Sequence, residues 1–314
     1  MKDSIFKKFR GTVEENFILS DIVAYRIGGP ARYYLKPESD LDFQYALEIA
    51  RDKSIPLFIL GSGSNLLVSD KGFEGIVLAM NPREKSSLEN LPVEILEEDE
   101  DSVCIRAPAH LAKASLLDYS IQKKWSGLEF SAGIPGTLGG AVYMNAGTKW
   151  GTYGEVIESV CFYSLTKGLY ELKNQDIGFK YRGIGEGLLD GQTAVLSVVM
   201  RLKKNVSINN IRKTIDEIYI YRGQKQPLEL PNCGSVFKNP ENSEKGAGRL
   251  IEASQLKGQE VGDAQVSLKH ANFILNKGRA RASDVKSLIC KIQDKVMCDY
   301  RILLETEVIM LGDF

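Results

Sequence analysis

Gly127-Leu128-Glu129-Phe130-Ser131-Ala132-Gly133-Ile134-Pro135-Gly136-Thr137-Leu138-Gly139-Gly140-Ala141-Val142-Tyr143-Met144-Asn145-Ala146-Gly147 is the stretch on which the reading of this chain turns. Gly133, Gly136, Gly139 and Gly140 fall within eight residues, with Pro135 and Thr137 among them. Apolar residues flank the cluster on both sides, unlike a flexible Gly/Ser linker. Glycines clustered in apolar surroundings mark backbone at positive φ or closely approached by another group. Such a loop of N–H groups suits phosphate oxygens, because no side chain holds the anion away. A tight bend packed between strands is the competing reading.

A second loop lies upstream. The apolar run at residues 56–60 ends in Gly61-Ser62-Gly63-Ser64-Asn65. A Rossmann fingerprint is excluded, because its third glycine falls on Leu66 and no long helix follows. The chain continues instead as residues 66–69, a turn at 71–75 and a strand at 76–80. The pattern is a strand-loop-strand nest, with Ser62, Ser64 and Asn65 as added hydrogen-bond donors. Both glycine loops are expected to be bounded by strands, with no helix dipole behind either. Two anion-binding loops on one chain suit the pyrophosphate of a dinucleotide or a flavin.

With 314 residues the chain is long enough for about two domains. Its 40 basic and 41 acidic side chains nearly cancel, which gives duplex DNA or an anionic membrane no electrostatic hold. The five cysteines are odd in number and form no C-x-x-C pair, so neither a disulfide framework nor a zinc site is expected. Residues 1–16 lack the apolar core of a signal peptide, and no apolar run reaches the length of a membrane span. A cytoplasmic protein is expected. With only His110 and His270 available, a histidine-built metal site and a Ser-His-Asp triad are both disfavoured. No metal is expected, and acid–base chemistry falls to Ser, Tyr, Lys, Arg or carboxylates.

Along the chain, residues 17–36 read as two short strands meeting at Gly28-Gly29-Pro30. Asp40 is placed as the cap of a helix over 41–52, with Leu41, Tyr45, Ala46 and Ile49 on one side. The acidic segment 89–102 reads as a solvated hairpin tip. A strand at 103–106 precedes a helix at 111–124 with Leu116, Leu117 and Ile121 inward; His110, just before it, is read as structural. Strands follow at 156–164, 169–172 and 193–202. Composition changes near residue 204, where an amphipathic helix over 207–222 carries Ile208, Ile211, Ile215 and Ile218 on one face. Then come a basic turn at 222–227, a short helix at 248–253 and a strand at 270–276. A helix capped by Ser283 follows, and a closing strand at 302–311.

The closing strand carries the most pointed chemical signal. By period 2, Glu305 and Glu307 share a face with Leu303, Ile309 and Leu311, while the opposite face is also apolar. A carboxylate in a buried strand is costly unless it is paired, protonated or used. An edge strand whose glutamates meet water is the alternative. Ser235, in a Pro/Gly/Asn-rich segment with Lys238 and Asn239, is a turn residue, a phosphate contact or a proton donor. Arg182, between Tyr181 and Gly183, suits a bidentate carboxylate or a surface turn.

Taken together, Tyr25-Arg26-Ile27-Gly28-Gly29-Pro30-Ala31, residues 60–67, the G-I-P-G-T-L-G-G-A-V-x-x-N-A-G loop, Tyr181-Arg182, residues 232–240 and residues 304–308 resemble, in order, the motifs of the UDP-N-acetylenolpyruvoylglucosamine reductases. The compact C-G-S-V-F-K-N-P segment resembles the shorter, type II form. The resemblance covers nearly the whole chain. It implies an α+β protein: a two-subdomain FAD-binding fold of the vanillyl-alcohol-oxidase/PCMH type over residues 1–204 (subdomains about 1–81 and 82–204), then a substrate-binding α+β domain over 205–314.

The resemblance further implies non-covalent FAD, with NADPH as co-substrate and UDP-N-acetylglucosamine enolpyruvate as substrate. FAD would rest on Gly61, Ser62, Gly63, Ser64 and Asn65, on Gly133, Ile134, Pro135, Gly136, Thr137, Gly139 and Gly140, and on Asn145, Ala146 and Gly147. Hydride would pass from flavin N5 to substrate C3, and Ser235 would protonate C2. Arg182 and a C-terminal glutamate would stabilise the developing charge. Glu307 is favoured on the Leu-x-x-Glu-Val pattern, with Glu305 as fallback. Lys225, Lys238 and Asn239 are candidates for the UDP phosphates and sugar. A monomer is expected. Two rival readings are an oxidase of the same fold with tethered FAD, disfavoured because neither histidine lies in a glycine loop, and a catalytically silent nucleotide-sugar-binding protein.

Overall fold

The computed structural model describes residues 4–80, 91–188 and 193–314. In chain order its strands are Thr12–Ile18 (β1), Pro30–Lys36 (β2), Leu57–Leu60 (β3), Leu66–Val68 (β4), Phe73–Ala79 (β5), Glu94–Glu98 (β6), Ser102–Pro108 (β7) and Gly147–Thr148 (β8). The later strands are Gly151–Thr152 (β9), Ile157–Ser164 (β10), Gly168–Lys173 (β11), Thr193–Lys203 (β12), Glu260–Val261 (β13), Ala264–Val266 (β14), Ile274–Asn276 (β15) and Ile309–Leu311 (β16). The helices are Asp40–Asp52 (α1), Lys113–Gln122 (α2), Leu138–Tyr143 (α3), Asn174–Ile177 (α4), Ile208–Lys225 (α5), Ala247–Ala253 (α6) and Ala282–Tyr300 (α7). The mixture is α+β, and β1, β2, β5 and β3 form a four-stranded sheet in that order.

The chain divides into two compact units, Met1–Val13 with Leu35–Ser62 and Val77–Arg222, and Glu14–Tyr34 with Gly63–Ile76 and Gly223–Phe314. In the first, an antiparallel sheet runs β11-β10-β12-β7-β6. Its inward residues follow the two-residue period of a strand. Val103, Ile105 and Ala107 of β7 join Val198, Met200 and Leu202 of β12. Against them pack Leu116 and Leu117 of α2, Leu138, Ala141 and Val142 of α3, and Ile211, Ile215 and Ile218 of α5. The edge strand β6, Glu-Ile-Leu-Glu-Glu, is exposed throughout, and its charges discourage pairing with another chain.

The second unit is built around α7, whose Val285, Leu288, Ile289, Ile292 and Val296 are buried. They meet Leu250 and Ile251 of α6, Ala264 and Val266 of β14, and Ile274 of β15. Truncating any one of these large side chains to alanine would cost about 2–5 kcal/mol.

Several local expectations are corrected. Residues 22–29 form no strand: Arg26 turns the backbone at φ 54°, and Ala24 N–H donates to Gly63 O instead of a ladder. Helix α1 is capped by Ser39, whose Oγ accepts from Asp42 N at 3.1 Å, and Asp40 lies inside it. Leu41 is 75% exposed because the helix turns Asp42 inward, where its carboxylate accepts from Arg10, Gly11 and Glu38 N–H groups. The expected turn at 222–227 is helical to Lys225. Helix α7 starts at Ala282 with Arg281 as N-cap, and Ser283 sits in its first turn; Ala282 and Ser283 N–H groups donate to Asp70. The strand expected at 270–276 is confined to β15, because Phe273 N–H turns back to His270 O.

The acidic hairpin turns at Asp99–Asp101, where Asp99 Oδ1 accepts from two amides; Glu89 and Asn90 lie outside the described residues. The closing segment is not one strand. Among the described residues β16 alone of this segment joins a sheet, in parallel with β4, while residues 302–308 form no strand and meet residues 236–238 through the Phe237–Thr306 bridge and its flanking backbone hydrogen bonds. The central glycine loop also departs from expectation. It leads directly into α3, with Thr137 as N-cap, so Gly139 and Gly140 are helical.

Candidate functional site

In the first unit the two glycine-rich segments meet. A Cβ on Gly61 would lie 2.7 Å from Thr137 Oγ1, so only glycine allows this approach. Thr137 Oγ1 in turn accepts from Gly140 N at 3.4 Å. Not every amide of the central loop faces outward. Leu138 N–H donates to Leu111 O, Gly139 N–H to Ala109 O and Ile134 N–H to Ser131 O. Beside this cradle the Ser62 hydroxyl is buried with no hydrogen-bond partner among the described residues. A buried donor without a partner costs about 1–3 kcal/mol, which a phosphate oxygen would relieve. The residues present therefore fit the pyrophosphate of FAD.

Asn145, at φ 38°, acts as a latch: its Nδ2 donates to Lys180 O at 3.1 Å and its Oδ1 accepts from Gly154 N at 2.9 Å. Ala146 O accepts from Tyr153 N–H. Gly147 O accepts from Arg182 Nη2 at 3.2 Å. Arg182 itself sits at φ 55° in the reversal Lys180–Gly183, which is closed by two backbone hydrogen bonds. Its guanidinium lies 5.0 Å from the Tyr181 ring centre. Arg222 of α5 donates to Gly133 O at 2.8 Å. Lys113, the first residue of α2, is buried, and its N–H donates to Gly136 O. Burial pushes the Lys113 ammonium down to about 7, with the Arg222 and Arg182 charges adding to the effect.

In the second unit, Gly63 adopts φ 64° against Val23, and Asn65 Nδ2 donates to Glu307 O at 2.9 Å. Residues 235–238 run antiparallel to 305–308: Glu307 N–H donates to Val236 O and Lys238 N–H to Glu305 O. Ser235 thus lies one residue from the register partner of Glu307. Asn272 clamps the same segment through Phe237 N at 2.9 Å and Phe237 O at 2.8 Å. Glu307 is half-buried, whereas Glu305 is exposed and paired with Lys238 Nζ at 2.6 Å. Burial pushes the Cys233 thiol up to about 12, which removes it as a nucleophile.

The substrate candidates divide. Lys225 ends α5 exposed, Lys238 is tied to Glu305, and Asn239 Oδ1 accepts from Ala247 N, capping α6. Among the described residues no cluster of His, Cys, Asp or Glu is suited to a metal ion, and no helix is long and apolar enough to cross a membrane. Sequence reasoning passed over Lys113, Arg222 and Asn272. Lys113 was legible in principle, because it occupies the inward stripe 113, 116, 117, 120 of α2. Arg222 and Asn272 act through contacts between distant segments, which no local pattern carries.

The chain matches two family descriptions, an FAD binding domain over residues 31–168 and the C-terminal domain of UDP-N-acetylenolpyruvoylglucosamine reductase over residues 226–311. It is 38% identical to the UDP-N-acetylenolpyruvoylglucosamine reductase of Synechococcus elongatus over 303 residues, 96% of each chain. It is 40% identical to that of Moorella thermoacetica, over 94% of this chain and 92% of the other. Among solved structures, the reductase of Thermus caldophilus superposes with a TM-score of 0.76 at 29% identity, covering 96% of this chain and 99% of that one. Ordered motifs, glycine cradle and full-length similarity agree: this chain belongs to the UDP-N-acetylenolpyruvoylglucosamine reductase family.

Proposed function

We infer that the chain reduces UDP-N-acetylglucosamine enolpyruvate to UDP-N-acetylmuramate, using NADPH and bound FAD, in peptidoglycan precursor synthesis in the cytoplasm. Residues 1–204 serve as its FAD-binding region and 205–314 as its substrate-binding domain, and it acts as a monomer. The observation that carries the reading is the short antiparallel pairing of 235–238 with 305–308, inside the segment that matches the reductase C-terminal domain. It holds a hydroxyl donor and a half-buried carboxylate at fixed backbone positions.

When bound, FAD would supply the hydride chemistry between NADPH and substrate C3. The glycines of both loops let the pyrophosphate approach the backbone, and Ser62 Oγ donates to it. Ser235 gives a proton to C2 and recovers one from solvent, so one hydride and one proton add across the C2–C3 double bond. Arg182 neutralises the charge that builds on the substrate carboxylate, and Glu307, as its neutral acid, donates a hydrogen bond to the same developing charge. Lys225, Lys238 and Asn239 bind the diphosphate and sugar. The purified protein should oxidise NADPH only when the enolpyruvyl sugar is present, yielding the lactyl ether. NADPH consumption that ignores the sugar would overturn the reading.

A further inference from the structure

Lys113 is a buried lysine that the mechanism above leaves unused. It is 4% exposed, and its Nζ lies 6.0 Å from the centre of the Tyr153 ring. No carboxylate is bonded to its ammonium among the described residues. The groups that face it are Arg222 from α5, Arg182 from the reversal at Lys180–Gly183, and Tyr153, which burial keeps neutral; Tyr219 of α5 faces Arg222. All three cations are anchored on the central glycine stretch: Lys113 N–H on Gly136 O, Arg222 on Gly133 O and Arg182 on Gly147 O.

A buried ammonium among cations is unfavourable by itself, and an anion delivered to the same loop would reverse that balance. The stretch held by the two guanidiniums and by the Lys113 backbone amide is the one that fits the FAD pyrophosphate. We propose that Lys113 is the counter-cation of bound FAD and takes up a proton as the cofactor's negative charge enters the cradle. This rests on the FAD reading of the site. The anionic group is the diphosphate of oxidised FAD or, after reduction, the anionic isoalloxazine ring, and the two sources are separable.

The sign follows from linkage. With its folded-state pKa lowered, the free protein holds Lys113 neutral above about pH 7, while the bound anion restores the charge. FAD binding then takes up close to one proton near pH 8.5, and affinity falls up to about tenfold per pH unit above pH 7. Below about pH 7 both forms are charged and affinity is flat.

The test is calorimetric titration of the FAD-free protein with FAD at about pH 8.5, in buffers of different ionisation enthalpy. Wild type and Lys113→Met are compared, with Lys113→Gln as a second variant. The expected result is proton uptake in wild type and its loss in both variants, with affinity lowered about 10- to 100-fold at pH 7. Uptake with oxidised FAD assigns the diphosphate. Uptake only on anaerobic reduction, lost in the variants, assigns the reduced ring. A merely structural lysine would instead lower the melting temperature of the FAD-free variants at pH 6, where the proposal expects no loss. Binding without uptake in wild type in either redox state, or uptake unchanged in the variants, overturns the proposal while leaving the FAD reading intact. No FAD binding in any form overturns both.

Discussion

The central glycine stretch of the first unit and the closing segment of the second treat charge in opposite ways. Around residues 133–147 three cationic residues are each fixed to a glycine of the stretch by a backbone or side-chain hydrogen bond. In the closing segment two glutamates, two residues apart, share a face by strand period yet meet different surroundings. Glu305 is exposed and neutralised by Lys238, while Glu307 is half-buried, with its N–H bound to Val236 and its C=O bound by Asn65. The difference teaches that spacing groups residues without ranking them. Backbone anchoring and burial set one carboxylate apart from the other.

The largest expected effect falls on Glu307. Glu307→Gln should lower turnover by roughly 1,000-fold or more, because the amide keeps the shape but cannot share or relay a proton. Steady-state kinetics beside circular dichroism will separate chemistry from folding. If Glu307→Gln and Glu305→Gln turn out equally mild, the distinction between the two glutamates collapses.

Next is Ser235→Ala. In the proposed mechanism the reduction of the flavin by NADPH needs no proton at substrate carbon, so that half-reaction should stay near the wild-type rate. Reoxidation by the enolpyruvyl sugar should slow by about 100- to 10,000-fold. Anaerobic stopped-flow absorbance reads each half, and unimpaired reoxidation would return Ser235 to a turn residue.

On the cationic side, Gly140→Asp puts a carboxylate at the start of α3, where a Cβ meets only Thr137 Oγ1 at 3.5 Å. Like-charge repulsion of about 3 kcal/mol predicts roughly 100-fold weaker FAD binding. Gly140→Ala is the steric control and should bind nearly as wild type. Gly136 serves less well, since its φ of 125° strains any side chain. Equal FAD affinities for the two Gly140 variants would place the pyrophosphate elsewhere.

The smallest effect belongs to Glu305→Gln. An exposed ion pair is worth about 0–1 kcal/mol, so melting temperature and turnover should scarcely change. A large loss of turnover would mean that the Lys238 pair, rather than Glu307, carries the carboxylate's role.

Much of this was written in the chain. Glycine spacing identified both loops, because positive φ and close approach are open to glycine at almost no steric cost. Helical spacing found α2, α5 and α7, because a 3.6-residue period must bury one stripe. The six ordered motifs identified the family without coordinates. Tertiary structure decided what depended on partners distant in sequence. It turned α1 so that Asp42, rather than Leu41, faces inward, because three amides from outside the helix need that carboxylate. It shortened the closing strand to β16, which forms its ladder with β4, while 305–308 keep only a bridge to 236–238. It moved the α7 cap away from Ser283 by bringing up Asp70, some 212 residues away in sequence. It also gathered Lys113, Arg182 and Arg222 on one glycine stretch. Periodicity reports which face of an element is buried, while hydrogen bonds between remote segments settle which polar groups go in with it.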